Sequence, residues 1–173
     1  KLTRQAFNDA WHYRFPAVVL TDGYTLKTRG VIDFDKIGTI ENIPAHQLVP
    51  EDKVVHWPNI YTFEEELYDE VMLAQKDFEA VAGDVAMVEE LQTEDAEILI
   101  IAHGIVAASA KDAIEILRKQ DKKVGLFRPI TLRPFPKKQL DKTASGKKLK
   151  KIVMIESSLG QLAKIVRDEL APE

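Results

Sequence analysis

The stretch EILIIAHGIVAASAKDAIEILRKQ (97–120), followed by KKVGLFR (122–128), decides the fold. EILIIAHG (97–104) is a near-continuous apolar run that stops at a glycine, the pattern of a strand buried on both faces. IVAASAKDAIEILRKQ (105–120) turns to helical periodicity, with Ala, Ile and Leu on one side. KKVGLFR then returns to a strand. Strand, helix, strand is a βαβ unit, and its crossover is right-handed. Working outward, VAMVEEL (85–91) reads as an edge strand, PKKQLDKTA (136–144) as a short helix, KKIVMIE (150–156) as a third core strand and GQLAKIVRDEL (160–170) as a last helix. The expected fold is α/β: a small three-layer domain with a mostly parallel sheet over 86–173.

Upstream the pattern is thinner. Residues 2–14, LTRQAFNDAWHYR, have Leu2, Ala6, Phe7, Ala10 and Trp11 at helical spacing, Pro16 ends the run, and AVVL (17–20) reads as a strand closed by a TDG turn. These elements make an incomplete αβ tail over 1–30. Residues 31–85 read as a linker, punctuated by Gly38, Pro44, Pro50 and Pro58. It carries one helix over 63–82, with Thr62 and Glu65 as a capping box and Gly83 as its stop. A connector of this length suggests a segment that packs along a partner. The first residue is Lys, and the opening reads as the middle of a longer subunit.

Composition narrows the chemistry. The 173 residues carry a net charge of −4, which does not suggest a general nucleic-acid binder, and no apolar run is long enough to span a bilayer. No secretory signal is apparent, so the expected location is cytoplasmic. Cysteine is absent, which removes disulfides, thiolate nucleophiles and the usual ligands of iron–sulfur clusters. His12, His46, His56 and His103 show no metal-ligand spacing. No catalytic or metal residue stands out.

The residues that invite a functional reading lie at strand ends. Gly104 sits at a strand-to-helix turn, where a helix N-terminus can hold an anion. His103, Arg128 and Glu156 fall at the same end of the expected sheet, where open α/β sheets bind ligands. The bland alternatives are a tight turn, a hydrogen-bonded loop histidine and an Arg–Glu pair that satisfies strand ends. Between 121 and 151 eleven Lys and Arg face two Asp, a stretch that could attract coenzyme A or an acidic electron carrier, or could be a solvated face. RPITLRPFP (128–136) locks its backbone with three prolines, either to cap the sheet or to present a rigid edge.

The motif order carries more. The runs 97–136 and 150–170 resemble the C-terminal domain of the alpha subunit of 2-oxoacid:ferredoxin oxidoreductases, of the 2-oxoglutarate and 2-oxoisovalerate type. The matching positions are Gly104, Ala107, Ala108, Gly125, Arg128, Pro129, Pro134, Phe135, Pro136, Glu156, Gly160 and Gln161. AFNDAWHYRFPAVVLTDGY (6–24) is similar to the end of the family's preceding, thiamine pyrimidine-binding domain. The resemblance implies a transketolase C-terminal-like domain in an enzyme that oxidises a 2-oxo acid to an acyl-CoA and reduces ferredoxin. It implies a beta subunit that binds thiamine diphosphate with Mg²⁺, gamma and delta subunits, and clusters held elsewhere. No cofactor is expected on this chain, and the fragment alone is expected to be inactive. Gly104, Arg128, Pro129, Arg133, Pro134, Phe135, Pro136, Glu156, Gly160 and Gln161 are the expected interface or structural positions. Two other readings remain open: a lipoamide-linked thiamine enzyme related to transketolase, and a non-catalytic α/β ligand-binding module.

Overall fold

In the computed structural model, residues 1–33, 40–44, 47–49, 51–56 and 59–171 are described. Gly38, His46, Pro50 and Pro58 of the expected linker lie outside the described residues. The chain divides into two units, Lys1–Leu20 with Arg29–Asp84, and Thr21–Thr28 with Val85–Glu173.

The second unit holds the sheet. Its elements are α2 (Gly23–Lys27), β1 (Val88–Leu91), β2 (Ile98–Ile101), α4 (Gly104–Arg118), β3 (Val124–Pro129), α5 (Lys137–Ala144), β4 (Lys151–Met154) and α6 (Gln161–Leu170). The strand order is β1-β3-β2-β4, with β3, β2 and β4 parallel and β1 antiparallel at one edge. Each face of the sheet closes a separate core, because successive strand side chains point opposite ways. Ile100, Ala102, Val124 and Leu126 meet Ala107, Ala110 and Ile114 of α4. Leu99, Ile101 and Phe127 meet Leu140 of α5 and Leu162 and Val166 of α6. Three layers result, α4 over one face and α5 with α6 over the other. The short alanines of α4 let its backbone lie close to the sheet.

RPITLRPFP turns inward. Ile130 and Thr131 donate to the Met87 carbonyl at 2.9 and 3.2 Å, and the Met87 N–H donates to the Thr131 hydroxyl at 2.9 Å. Phe135 and Pro136 are buried, with Phe135 stacked on Phe127 at 6.4 Å between ring centres. The Arg133–Pro134 peptide is cis. The segment ties the approach to β1 to the far end of β3 and then plugs one core.

The first unit contains α1 (Leu2–Tyr13) and most of α3 (Glu64–Val85). Three sequence expectations change here and at the unit boundary. Residues 17–20 are not a strand: no partner strand pairs with them among the described residues, and Val18 and Leu20 are more than 70% exposed. An apolar run without a ladder partner has nowhere to place its backbone groups except water. The TDG sequence is not a simple turn, since Asp22 starts the short helix α2 by accepting from the Thr25 N–H at 2.7 Å. Gly83 does not end α3, which continues to Val85. A glycine inside a helix costs about 1 kcal/mol relative to alanine, too little to stop a long helix.

Candidate functional site at the carboxyl edge of the sheet

β2 and β4 are neighbours, yet the chain leaves them toward opposite faces, β2 into α4 and β4 into α6. In open α/β sheets such a divergence marks the region, at the carboxyl ends of the strands, where ligands bind. The residues around it are Ala102, His103 and Gly104 after β2, and Ile155 to Gly160 after β4.

The α6 side is internally satisfied. The Glu156 carboxylate reaches forward over the turn and accepts from the Leu162 N–H at 2.9 Å and the Ala163 N–H at 3.1 Å. The Ser158 hydroxyl also donates to it. Glu156 therefore caps α6 from outside the helix, where the N-cap residue is Gly160 at φ +93°. Glycine is needed there because an L side chain at that φ is strained. The Ser158 hydroxyl, then the two backbone N–H groups, then nearby His103, hold the Glu156 carboxyl below the usual carboxylate range, and desolvation opposes them. An anion so engaged is poorly suited to general acid catalysis. It fixes the loop.

The α4 side is different. His103 is the N-cap residue in extended geometry, and its side chain makes no capping hydrogen bond. Gly104 follows at φ +55°, and the Asp22 carboxylate lies 3.6 Å from where a Cβ on Gly104 would stand. Asp22 is itself held low by the Thr25 N–H, then by the Thr25 hydroxyl. A negative group near a helix N-terminus is electrostatically favourable. The carboxyl end of the sheet thus carries two carboxylates, Asp22 and Glu156, and one histidine, His103.

Arg128 is not paired with Glu156 as an Arg–Glu strand-end pair would require. Its guanidinium meets Glu89 of β1 at 2.8 Å, directly across the antiparallel ladder, and Lys111 of α4 reaches the other Glu89 oxygen at 2.5 Å. The reason is strand order: β2 separates β3 from β4, whereas Glu89 is the register partner of Arg128. Lys111 and then Arg128 hold Glu89 below its usual range. Pro129 is buried, Pro134 is half-buried, and Arg133 and Gln161 are exposed. The site expected from sequence therefore divides into a capped turn around Glu156 and Gly160, an ion-pair cluster around Arg128, and a core plug at Phe135 and Pro136. Asp22, Glu89, Lys111 and Ser158 were not singled out by sequence. Asp is among the preferred N-cap residues, a signal that could have found Asp22. Among the described residues no group of three or more His, Asp or Glu is arranged to hold a metal ion, and no helix is long and apolar enough to cross a membrane.

Part of the basic stretch has local work. Lys150 pairs with Glu97 at 2.6 Å, and Lys137 lies 3.6 Å from Asp141 and donates to the Glu169 carbonyl. Lys150 accordingly holds the Glu97 carboxyl low, as Arg118 does for Asp95. Carboxylates held low in the folded state stabilise it above the unfolded pKa, and that contribution is lost as pH falls through the folded value. The melting temperature is therefore expected to be level above about pH 5 and to drop below about pH 4.5, near the unfolded carboxylate pKa. A thermal series from pH 7 to pH 3 by circular dichroism checks this. A melting temperature that climbs on acidification would reject the assignment. A second expectation concerns Glu156. Glu156→Ala should speed exchange of the Leu162 and Ala163 amides by about tenfold, with the β2 amides unchanged. Uniform change across both elements would mean that Glu156 is not a local cap.

Comparison with known proteins places this architecture. Residues 96–173 match the family model described as pyruvate:ferredoxin oxidoreductase core domain II. The chain is 31% identical over 170 residues to the ketoisovalerate oxidoreductase subunit VorB of Methanothermobacter marburgensis, covering 96% of this chain and 47% of that protein. It is 30% identical over 186 residues to the 2-oxoglutarate synthase subunit KorA of Methanocaldococcus jannaschii, covering 92% of this chain and 50% of that one. Among solved structures it is similar, at TM-score 0.49 and 24% identity, to 2-oxoglutarate:ferredoxin oxidoreductase from Magnetococcus marinus with 2-oxoglutarate, coenzyme A and succinyl-CoA bound. That likeness covers 59% of this chain and 18% of the other. The chain spans about half the length of the relatives it matches end to end. It is thus the segment 96–173, and not the whole chain, that carries the pyruvate:ferredoxin oxidoreductase core domain II.

Proposed function

We propose that this chain is part of an alpha-type subunit of a cytoplasmic, thiamine-diphosphate-dependent 2-oxoacid:ferredoxin oxidoreductase. That enzyme oxidatively decarboxylates a 2-oxo acid to an acyl-CoA and reduces ferredoxin. The observation that carries the reading is similarity along more than nine-tenths of the chain to subunits named for ketoisovalerate and 2-oxoglutarate chemistry. In this reading the domain serves a structural and interface role. Its polar groups at the sheet edge are spent on capping and on ion pairs, which suits a scaffold. The chain has no cysteine to hold a cluster. Thiamine diphosphate, Mg²⁺ and the clusters would be held by the beta subunit and the gamma and delta subunits.

The exposed Arg133 and Gln161, with Arg128 at the sheet edge, are the residues we assign to contacts with those subunits. Arg128→Ala in the complete subunit would weaken both the β1–β3 edge and assembly. Unchanged assembly and activity would remove this arginine from the interface. The reaction is tested by expressing the complete subunit with its neighbouring beta subunit anaerobically. Viologen reduction is then followed with a panel of 2-oxo acids, with and without coenzyme A and thiamine diphosphate. Reduction that needs both is the expected result and names the substrate. No reduction by an assembled, cluster-loaded complex would overturn the reading.

A further inference from the structure

Helix α3 carries more apolar surface than its own unit covers. Leu67, Val71, Ala74, Phe78 and Val81 recur at alternating spacings of four and three, a stripe along one side of the helix. Toward the C-terminal end the stripe has a neighbour, with the Phe15 ring edge-on to Phe78 at 6.0 Å between centres. Toward the N-terminal end it is bare. Phe63, Leu67, Tyr68, Val71 and Met72 are 43–63% exposed, and none of the residues of α3 is buried. A helix gains most of its stability by burying such a stripe, and a contiguous exposed patch of this kind marks a docking surface.

Charge selects the occupant. Glu64, Glu65, Glu66, Asp69 and Glu70 surround the bare half, and no Lys or Arg occurs between 63 and 75. Pairing α3 with α3 of a second copy would set acid against acid along the rim, which disfavours that complex. The lysine-rich stretch 121–151 of a second copy has the right sign, but none of the large exposed hydrophobic residues falls within it. It has nothing to bury against the stripe. We infer that the N-terminal half of α3 docks a basic amphipathic helix of a different polypeptide, an apolar ridge flanked by Lys or Arg. A helix is the fitting element because spacings of three and four present ridges and grooves to another helix. This inference does not depend on the oxidoreductase reading.

The test uses the full chain and two fluorescent model helices that share a leucine ridge, one flanked by Lys and one by Glu. Anisotropy titration is expected to give at least about tenfold tighter binding of the Lys-flanked helix, weakening as salt rises. Leu67→Asp or Val71→Asp should abolish that preference. The double variant Glu66→Lys/Glu70→Lys, which keeps every apolar residue, should shift the preference toward the Glu-flanked helix. Circular dichroism checks that each variant stays helical. Equal affinity for both helices, no binding, or binding that survives Leu67→Asp would each overturn the inference. So would a concentration-dependent dimer that Leu67→Asp dissolves, because the face would then belong to a second copy. Strong hydrogen-exchange protection of the bare half in the peptide-free monomer would also overturn it, because the chain itself would then cover the face.

Discussion

Phe127→Ala is expected to cost the sheet-bearing unit about 3–5 kcal/mol, the range for deleting a fully buried aromatic ring. Phe127 lies on β3 between two strand neighbours and has no exposed surface. Its ring stacks on Phe135 and belongs to the core that joins Leu99, Ile101, Leu140, Leu162 and Val166. That core connects β2, β3, the proline segment and both helices of one layer, so a cavity there loosens several elements at once. The surroundings are poorly placed to collapse into the gap, because Phe135 is followed directly by the buried Pro136, whose φ is fixed by its ring. Amide exchange at Leu99 and Leu126 reads the opening of this unit alone. Their protection should fall by about three orders of magnitude, at 1.4 kcal/mol per factor of ten. A loss below tenfold would show that Phe127 is not the keystone of this core.

The sheet was legible because each of its elements states its own period. The apolar run at 98–101 and the helical run at 104–118 differ in both pattern and composition, and glycine separates them. The runs around β3, α5, β4 and α6 repeat that grammar. The failures occur where a local pattern lacked information about partners. AVVL has strand composition, but a strand exists only when another strand pairs with it, and sequence periodicity does not report pairing. Gly83 has the composition of a helix stop. Its flanking residues Val81, Ala82 and Val85 still favour continuing the helix, and no positive φ marks a cap there.

The sheet edge was legible only as a set of residues, not as a set of contacts. Sequence placed His103, Arg128 and Glu156 at the same end of the sheet, and the strand ends do fall there. It could not separate Arg128 from Glu156, because the intervening position of β2 is a fact of topology. Nor could it join Glu89 to Arg128 and Lys111, since register across β1 and β3 decides that cluster. Glu156 capping α6 from five residues ahead also escapes the usual capping patterns, which look for the acceptor at the N-cap itself.

Gly125→Ala is expected to destabilise the same unit by about 2–3 kcal/mol, the upper part of the range for forcing extra volume into a packed interior. Gly125 occupies β3 in register with Leu99. It does not carry a positive φ, so the requirement is for space. A Cβ at this position would stand 2.6 Å from the Gln92 carbonyl oxygen and 3.1 Å from the Ala96 side chain. A methyl group cannot occupy 2.6 Å, and the obstructing atom is backbone. That carbonyl is also pinned from the other side, because Arg118 of α4 donates to it at 2.7 Å. The same guanidinium donates to the Val124 carbonyl at 2.8 Å and to Asp95 at 2.9 Å. Moving Gln92 away from a new Cβ would therefore disturb the clamp by which Arg118 holds the end of α4, the turn after β1 and the start of β3 together. Gln92 is already in the left-handed region, at φ 51°, and has little freedom to rotate. Urea unfolding followed by β3 amide exchange measures the cost. Gly125→Ser should be at least as damaging, since its Cβ meets the same carbonyl. A Gly125→Ala variant within about 0.5 kcal/mol of the parent, the range of ordinary surface substitutions, would show that the 92–96 turn yields freely and that the clamp does not hold it.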